Sequence, residues 1–252
     1  MDLTGKTALV TGGGTGIGKA ISEAMAKNGA RVAVASRNPA HLKIAASGAL
    51  LPVEMDIRKK DQVQKGVAKI LDTWGPIDIL VNNAGVSGLT PIDDADDGRW
   101  RDIVETNLTG TYLVTKEVLR SMKNNANGRI INISSVLGKF GVPGYTAYCA
   151  AKHGMIGFTR ALALEVVGRG ITVNAICPGW VETEMARLGI EESAANQGIT
   201  PEEFKKQAVA AVPIGRFLDA DEVAELVLYL ASAKAGGITG QAINICGGQT
   251  MV

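Results

Sequence analysis

Seven short apolar runs alternate with amphipathic stretches along the whole chain, and this alternation most constrains the fold. The runs at 7–11, 31–36, 51–55, 77–82, 129–134, 172–177 and 242–245 are rich in Val, Ile, Leu and Ala, as strands buried on both faces are. Helical patterns at 17–28, 60–73, 98–122, 146–167 and 221–231 separate them, and a looser helix is expected after Pro39. Strand and helix in turn predict the α/β class: a doubly wound parallel sheet of seven strands, flanked by helices and joined by right-handed crossovers.

The chain is long and apolar enough for one domain with a large core: 252 residues, 46% of them hydrophobic, with no internal repeat or low-complexity tract. Its formal net charge is +1 and its basic residues are dispersed, so no nucleic-acid partner is expected. No segment approaches the roughly 20 apolar residues of a membrane span, and the opening Met1-Asp2-Leu3-Thr4-Gly5-Lys6 has no signal-peptide pattern. The expectation is a cytoplasmic protein without a membrane partner. Cys149, Cys177 and Cys246 form neither a disulfide framework nor a zinc pattern, and His41 and His153 have no metal-ligand spacing. No catalytic metal is expected.

One stretch breaks the rhythm. From 182 to about 212 no strand pattern occurs, and Gly189, Gly198 and Pro201 interrupt short charged helical pieces. A long excursion between the last two strands reads as a substrate lid.

The first chemical signal follows the first strand, in Thr11-Gly12-Gly13-Gly14-Thr15-Gly16-Ile17-Gly18. A strand turning into a helix exposes unpaired amides at the helix N-terminus, and glycines let a pyrophosphate approach them. No Asp or Glu occurs between Glu23 and Glu54, where an acidic residue would bind the ribose hydroxyl of NAD. The second strand ends instead in Ser36-Arg37-Asn38, a hydroxyl and a guanidinium suited to a 2′-phosphate. NADP(H) is therefore favoured over NAD(H). Asp56 is placed to accept from the adenine amino group, and the small Ala84 and Gly85 after Asn82-Asn83 allow close backbone approach.

The second signal is Tyr148-Cys149-Ala150-Ala151-Lys152. Four residues apart on a helix, the phenol and the ammonium share a face, and the positive charge is expected to lower the phenol's pKa. Such a group exchanges a proton with a carbonyl or alcohol oxygen. Asn107 falls inside a predicted helix, where asparagine is a poor interior residue, so a kink, a bound water or a structural hydrogen bond is expected there.

Together with Ser135 and Pro178-Gly179, these motifs resemble the short-chain dehydrogenase/reductase family, in order and over nearly the whole chain. The resemblance implies a single Rossmann-type oxidoreductase domain over 1–252, an NAD(P) cofactor and a homotetramer. It assigns Tyr148 as acid/base, Lys152 to the tyrosine and the nicotinamide ribose, Ser135 to the substrate oxygen, and Asn107 to a water continuing the proton relay. Ser135 is preferred to Ser134 because the family's serine stands thirteen residues before its tyrosine. It also implies cofactor contacts at Gly12, Thr15, Gly16, Ile17, Gly18, Ile57, Asn83, Ala84, Gly85, Pro178, Gly179, Val181 and Thr183.

The stretches 104–110, 152–159, 212–217 and 242–248 are similar to 3-oxoacyl-acyl-carrier-protein reductases and, more closely, to actinorhodin-type polyketide ketoreductases. The implied reaction is hydride transfer to a ketone, a 3-oxoacyl thioester or a hydrophobic ketone, or oxidation of the alcohol in reverse. The expected pocket wall is Val136, Leu137, Val142, Pro143, Tyr145, Trp180, Met185 and Leu188. Arg187, Lys205 and Lys206 are offset by Glu182, Glu184, Glu191, Glu192, Glu202 and Glu203, giving an acidic carrier protein little to hold. An NAD-dependent secondary alcohol dehydrogenase and a non-catalytic dinucleotide sensor are the competing readings; the combination of Ser135, Tyr148 and Lys152 argues against the sensor.

Overall fold

The computed structural model describes residues 1–46, 50–93, 96–122 and 127–252. Seven parallel strands form one sheet in the order β3-β2-β1-β4-β5-β6-β7. They are β1 (Thr7–Thr11), β2 (Arg31–Ser36), β3 (Leu50–Glu54), β4 (Ile79–Asn82), β5 (Arg129–Ile133), β6 (Thr172–Pro178) and β7 (Ala242–Ile245). The helices are α1 (Gly16–Lys27), α2 (Lys60–Trp74), α3 (Gly98–Val104), α4 (Thr111–Ser121), α5 (Thr146–Val166), α6 (Glu184–Gln197), α7 (Pro201–Ala210) and α8 (Ala220–Ala231). This is the expected doubly wound α/β architecture. A 3₁₀ helix, Pro39–Ala46, follows β2 where a looser helix was expected.

The strands are apolar on both faces because both are covered. Val10, Val32, Val34 and Ile79 pack with Ile21 and Met25 of α1 and Val223, Val227 and Leu230 of α8. Their neighbours Leu9, Ala33, Leu80 and Ile130 point the other way, onto Val67 and Ile70 of α2, Val114 and Val118 of α4, and Leu162 and Val166 of α5. Each of the larger side chains, fully withdrawn from water, contributes about 1.5–3 kcal/mol.

β4 begins at Ile79, two residues later than expected, and β5 and β6 end within one residue of expectation; β3 and the helix expected over 98–122 differ more instructively. β3 begins and ends one residue earlier, and contains Pro52, paired with Val34. A proline is tolerated there because β3 is an edge strand and needs no outward donor. The helix expected over 98–122 is divided: α3 and α4 are separated by a π-helical turn, Glu105–Gly110, which contains Asn107. Gly110 at its end lies against Ile57, whose Cδ1 stands 2.7 Å from where a Cβ would be.

The 182–212 excursion folds as α6 and α7. Gly198, at φ 67°, ends α6 in a left-handed conformation that favours glycine, and Thr200, Pro201 and Glu203 start α7 with a capping box. Gly189 does not interrupt the helix as expected. It sits inside α6 with open space beside it.

Candidate active site

The strand order reverses between β1 and β4, and in such sheets the crevice beyond the strands' carboxyl ends is where ligands bind. A cavity of about 790 Å³ lies there. The glycine turn forms part of its wall. Gly12 and Gly16 have φ values of 62° and 49°, and a Cβ on Gly18 would stand 2.2 Å from the carbonyl oxygen of Gly12. The turn is pinned from below: Asn83 Nδ2 donates to the carbonyls of Thr11 and Gly12, both at 3.1 Å, while Thr11 Oγ1 accepts from the amides of Asn83 (3.0 Å) and Ala84 (3.1 Å). Asn83 therefore shapes the cradle. Thr15 is the N-cap of α1 but makes no side-chain cap bond, so its hydroxyl remains for a ligand.

Ser36, Arg37, Asp56 and Ile57 line the adenosine end expected from the sequence. Arg37 is exposed and makes no ion pair among the described residues, though its charge helps hold Asp56 below the usual carboxylate range. The larger cause is Arg58, a residue the sequence reading passed over. Its Nε and Nη2 donate to the Asp56 carboxylate at 2.9 and 2.6 Å, and its Nη1 reaches Asp102 of α3. Asp56 is thus largely engaged within the protein.

At the other end Ser135, Tyr148 and Lys152 converge. Tyr148 and Ser135 both line the cavity, and Ser135 Oγ accepts from Leu137 N at 3.1 Å. Ser134 turns away and donates to the carbonyl of Lys152 at 3.1 Å. Lys152 Nζ lies 5.5 Å from the Tyr148 ring centroid and donates to Ile133 O at 2.8 Å. The expected lowering of the phenol's pKa is not what this arrangement gives. Burial pushes Tyr148 up to about 12, with the Ser135 hydrogen bond opposing it, and pushes Lys152 down to about 8. Burial outweighs charge here, so the phenol stays protonated through the neutral range.

Asn107 is fully buried and does not line the cavity. Its Oδ1 accepts from Val86 N and its Nδ2 donates to Val86 O, both at 2.8 Å. Of the three explanations expected, the structural hydrogen bond holds, and the helix widens into its π turn around it. A Cβ on Gly85 would be 3.1 Å from Asn107 Oδ1 and 3.8 Å from Lys152 Nζ. Asn107 and Lys152 thus meet the same stretch of backbone.

The wall residues Val136, Leu137, Val142, Tyr145, Trp180 and Met185 do line the cavity, as do Gly85, Pro178, Gly179, Val181 and Thr183. Pro143 and Leu188 do not; both are exposed. The inward stripe of α6 runs Met185, Gly189, Ser193 at four-residue spacing, and Leu188 falls about 100° off it. Thr183 Oγ1 caps α6 by accepting from Ala186 N at 3.2 Å.

Sequence reasoning missed several lining residues. Phe204, Gln207 and Ala208 form an i, i+3, i+4 stripe on α7, a signal that periodicity offers once α7 is recognised as a helix. Thr106 and Gln249 carry no such signal, yet both line the cavity and each has a buried side-chain oxygen, Oγ1 and Oε1, without a hydrogen-bond partner. Together with the glycine cradle and the unpaired Arg37, they make the cavity fit a phosphate-bearing dinucleotide.

Residues 6–193 match the family model described as short chain dehydrogenase. The chain is 42% identical to a putative ketoacyl reductase of Streptomyces coelicolor, covering 96% of each chain. It is 41% identical to an acetoacetyl-CoA reductase of Shinella zoogloeoides, over 98% of this chain and 99% of that one. Among solved structures it superimposes on a variant actinorhodin polyketide ketoreductase crystallised with NADPH, with a TM-score of 0.93, 43% identity and 97% of both chains covered.

Proposed function

The chain belongs to the short-chain dehydrogenase family, and from that premise we propose that it is an NADP(H)-dependent carbonyl reductase acting on a 3-oxoacyl thioester or a hydrophobic ketone. The observation that carries the reading is the convergence of Ser135 and Tyr148 on the cavity, with Lys152 Nζ 5.5 Å from the centre of the phenol ring.

The reduced nicotinamide supplies the hydride when bound. Gly12, Thr15, Gly16, Ile17 and Gly18 hold its pyrophosphate through backbone amides, and Ser36 with Arg37 takes the 2′-phosphate. Asp56, Ile57, Asn83, Ala84 and Gly85 border the adenosine and ribose. Pro178, Gly179, Val181 and Thr183 border the nicotinamide, and Lys152 holds the ribose beside it.

Ser135 and Tyr148 both donate to the ketone oxygen, stabilising the negative charge that develops as the carbonyl carbon is reduced. Tyr148 then gives its proton to that oxygen, and the product leaves as a secondary alcohol. A phenol with a pKa near 12 is competent for this because it is protonated at neutral pH. Lys152 returns a proton towards the phenolate. Asn107 fixes the backbone at Val86.

Replacing Tyr148 with Phe should leave NADPH binding intact and lower kcat by about 10²–10⁴-fold. Turnover equal to wild type in the variant would reject the assignment.

Association into a homotetramer is part of the proposal. Leu164 on α5 is 81% exposed, Tyr112 on α4 also faces solvent, and Met251 near the C-terminus is 91% exposed. A monomer by light scattering at micromolar concentration would contradict it. No described helix is long and apolar enough to cross a membrane, and we place the enzyme in the cytoplasm.

A further inference from the structure

The reductase reading leaves two kinds of ketone together: those carried on a phosphate-bearing handle and those that arrive free and uncharged. A coenzyme A ester, or an acyl group tethered to a carrier protein, brings phosphate to the cavity mouth. Recognition of phosphate there is strengthened by an Arg or Lys whose charge is unspent.

The adenosine end has one such group, in Arg37. Around the substrate end all of the cations but Lys206 are spent. Arg187 is held by both Glu184 and Glu191, Lys205 by Glu182 at 2.8 Å, Arg99 by Glu192, and Arg216 by Glu222 at 2.7 Å. Lys206 has no carboxylate partner among the described residues; like the paired cations it stands outside the cavity lining, and Glu202 and Glu203 precede it on α7. Across 182–212 six glutamates face three cations, and Glu184 itself lines the cavity. The resulting negative potential repels an approaching polyanion.

The wall chemistry points the same way. Trp180 stacks on Phe217 with centroids 5.3 Å apart and meets Phe204 edge-on at 6.4 Å. With Leu137, Val142 and Met185 also on the cavity, this part of the wall is aromatic and apolar. Resting on the reductase reading, we infer that the site selects an uncharged hydrophobic ketone free in solution and disfavours ketones whose handle carries phosphate.

The test uses the full-length enzyme with NADPH and three ketones: acetophenone, acetoacetyl-N-acetylcysteamine and acetoacetyl-coenzyme A. The last two present the same reacting thioester and differ in their phosphates. The expected result is a kcat/KM at least about tenfold higher for the uncharged thioester at low ionic strength, narrowing as salt screens the repulsion. Acetophenone should be reduced, and phosphopantetheine at about 1 mM should not compete with it. Relieving the charge by Glu184→Gln with Glu191→Gln frees Arg187, and should raise kcat/KM for the coenzyme A ester about threefold or more. A coenzyme A ester turned over as well as the uncharged thioester, or phosphopantetheine competing with the ketone, would overturn the inference. Absence of Tyr148-dependent NADPH oxidation with all three ketones would instead sink the reductase reading.

Discussion

Arg99 at the start of α3 grips both carboxylate oxygens of Glu192 on α6, with Nη2 to Oε2 at 2.9 Å. Glu192 Oε2 also accepts from Leu89 N at 3.2 Å, and the next residue, Ser193, shares a 2.8 Å hydrogen bond with the Tyr145 hydroxyl. Two consecutive residues thus tie the helix over the cavity to the loop after β4 and to the start of α5.

Cutting this tie should loosen α6 without touching the reacting atoms. Glu192→Ala is expected to raise KM for the ketone about threefold to tenfold, in keeping with about 1 kcal/mol for a half-exposed bidentate pair, while kcat changes less. Steady-state kinetics read the split, and faster proteolysis within α6 gives an independent measure. An unchanged KM with unchanged proteolysis would show that the tie does not hold the helix down.

Arg37 makes no ion pair among the described residues, and its only effect on a neighbour is to help lower the Asp56 carboxyl, so its replacement reports chiefly on the cofactor. Arg37→Asp should weaken NADPH binding about tenfold to a hundredfold, since a charge-assisted contact to the 2′-phosphate becomes a repulsion, and should spare or improve NADH. Titration of both cofactors by fluorescence decides it. An NADPH preference that survives the change would move the phosphate contact elsewhere.

Asn107 spends both amide atoms on one backbone residue deep in the protein. Asn107→Leu leaves the amide and carbonyl of Val86 unpaired and should cost about 2–4 kcal/mol of unfolding free energy. Asn107→Asp retains the acceptor and loses the donor, which should also be destabilising. Urea denaturation compares the three proteins; a loss below about 0.5 kcal/mol in the leucine variant would contradict the structural role.

Lys152 makes stability depend on pH. Its folded pKa of about 8 lies below the ordinary 10.5, so between these values the unfolded chain binds more protons and stability rises with pH. Tyr148, at about 12 against an ordinary 10.0, acts in the opposite sense: its contribution is present below pH 10 and lost towards pH 12. From pH 8 to 10 the cofactor-free protein should gain on the order of 2–3 kcal/mol relative to Lys152→Met, whose curve lacks this rise. Parallel curves for the two proteins would show that burial does not depress the lysine.

The sequence carried the architecture because parallel strands covered on both faces must be apolar throughout. That is why 7–11, 31–36 and 242–245 fall on β1, β2 and β7 without adjustment. Boundaries shifted where a contact outside the pattern intervened. Asn107 and its Val86 partner divide one amphipathic run into α3, a π turn and α4, and the partner lies 21 residues away in sequence. Likewise Val136, Leu137, Val142 and Tyr145, between β5 and α5, were legible as wall residues, whereas Leu188 was assigned to the wall because the orientation of α6 was unknown.

By itself the sequence determined the class of fold, the glycine cradle and the identity of the chemical groups, since periodicity, glycine placement and residue type are local properties. Only the tertiary structure decided how those groups are spent. It turned Asn83 into the clamp of the glycine turn, joined Arg58 to Asp102, and placed Tyr148 and Lys152 where loss of hydration reverses the expected direction of the phenol's pKa. It also paired Lys205 with Glu182 and Arg99 with Glu192 around the substrate end, while Arg37 at the other end makes no ion pair among the described residues. Hydrogen bonding, desolvation and ion pairing depend on distances between residues far apart in the chain, and these exist only once the sheet has brought its carboxyl ends together.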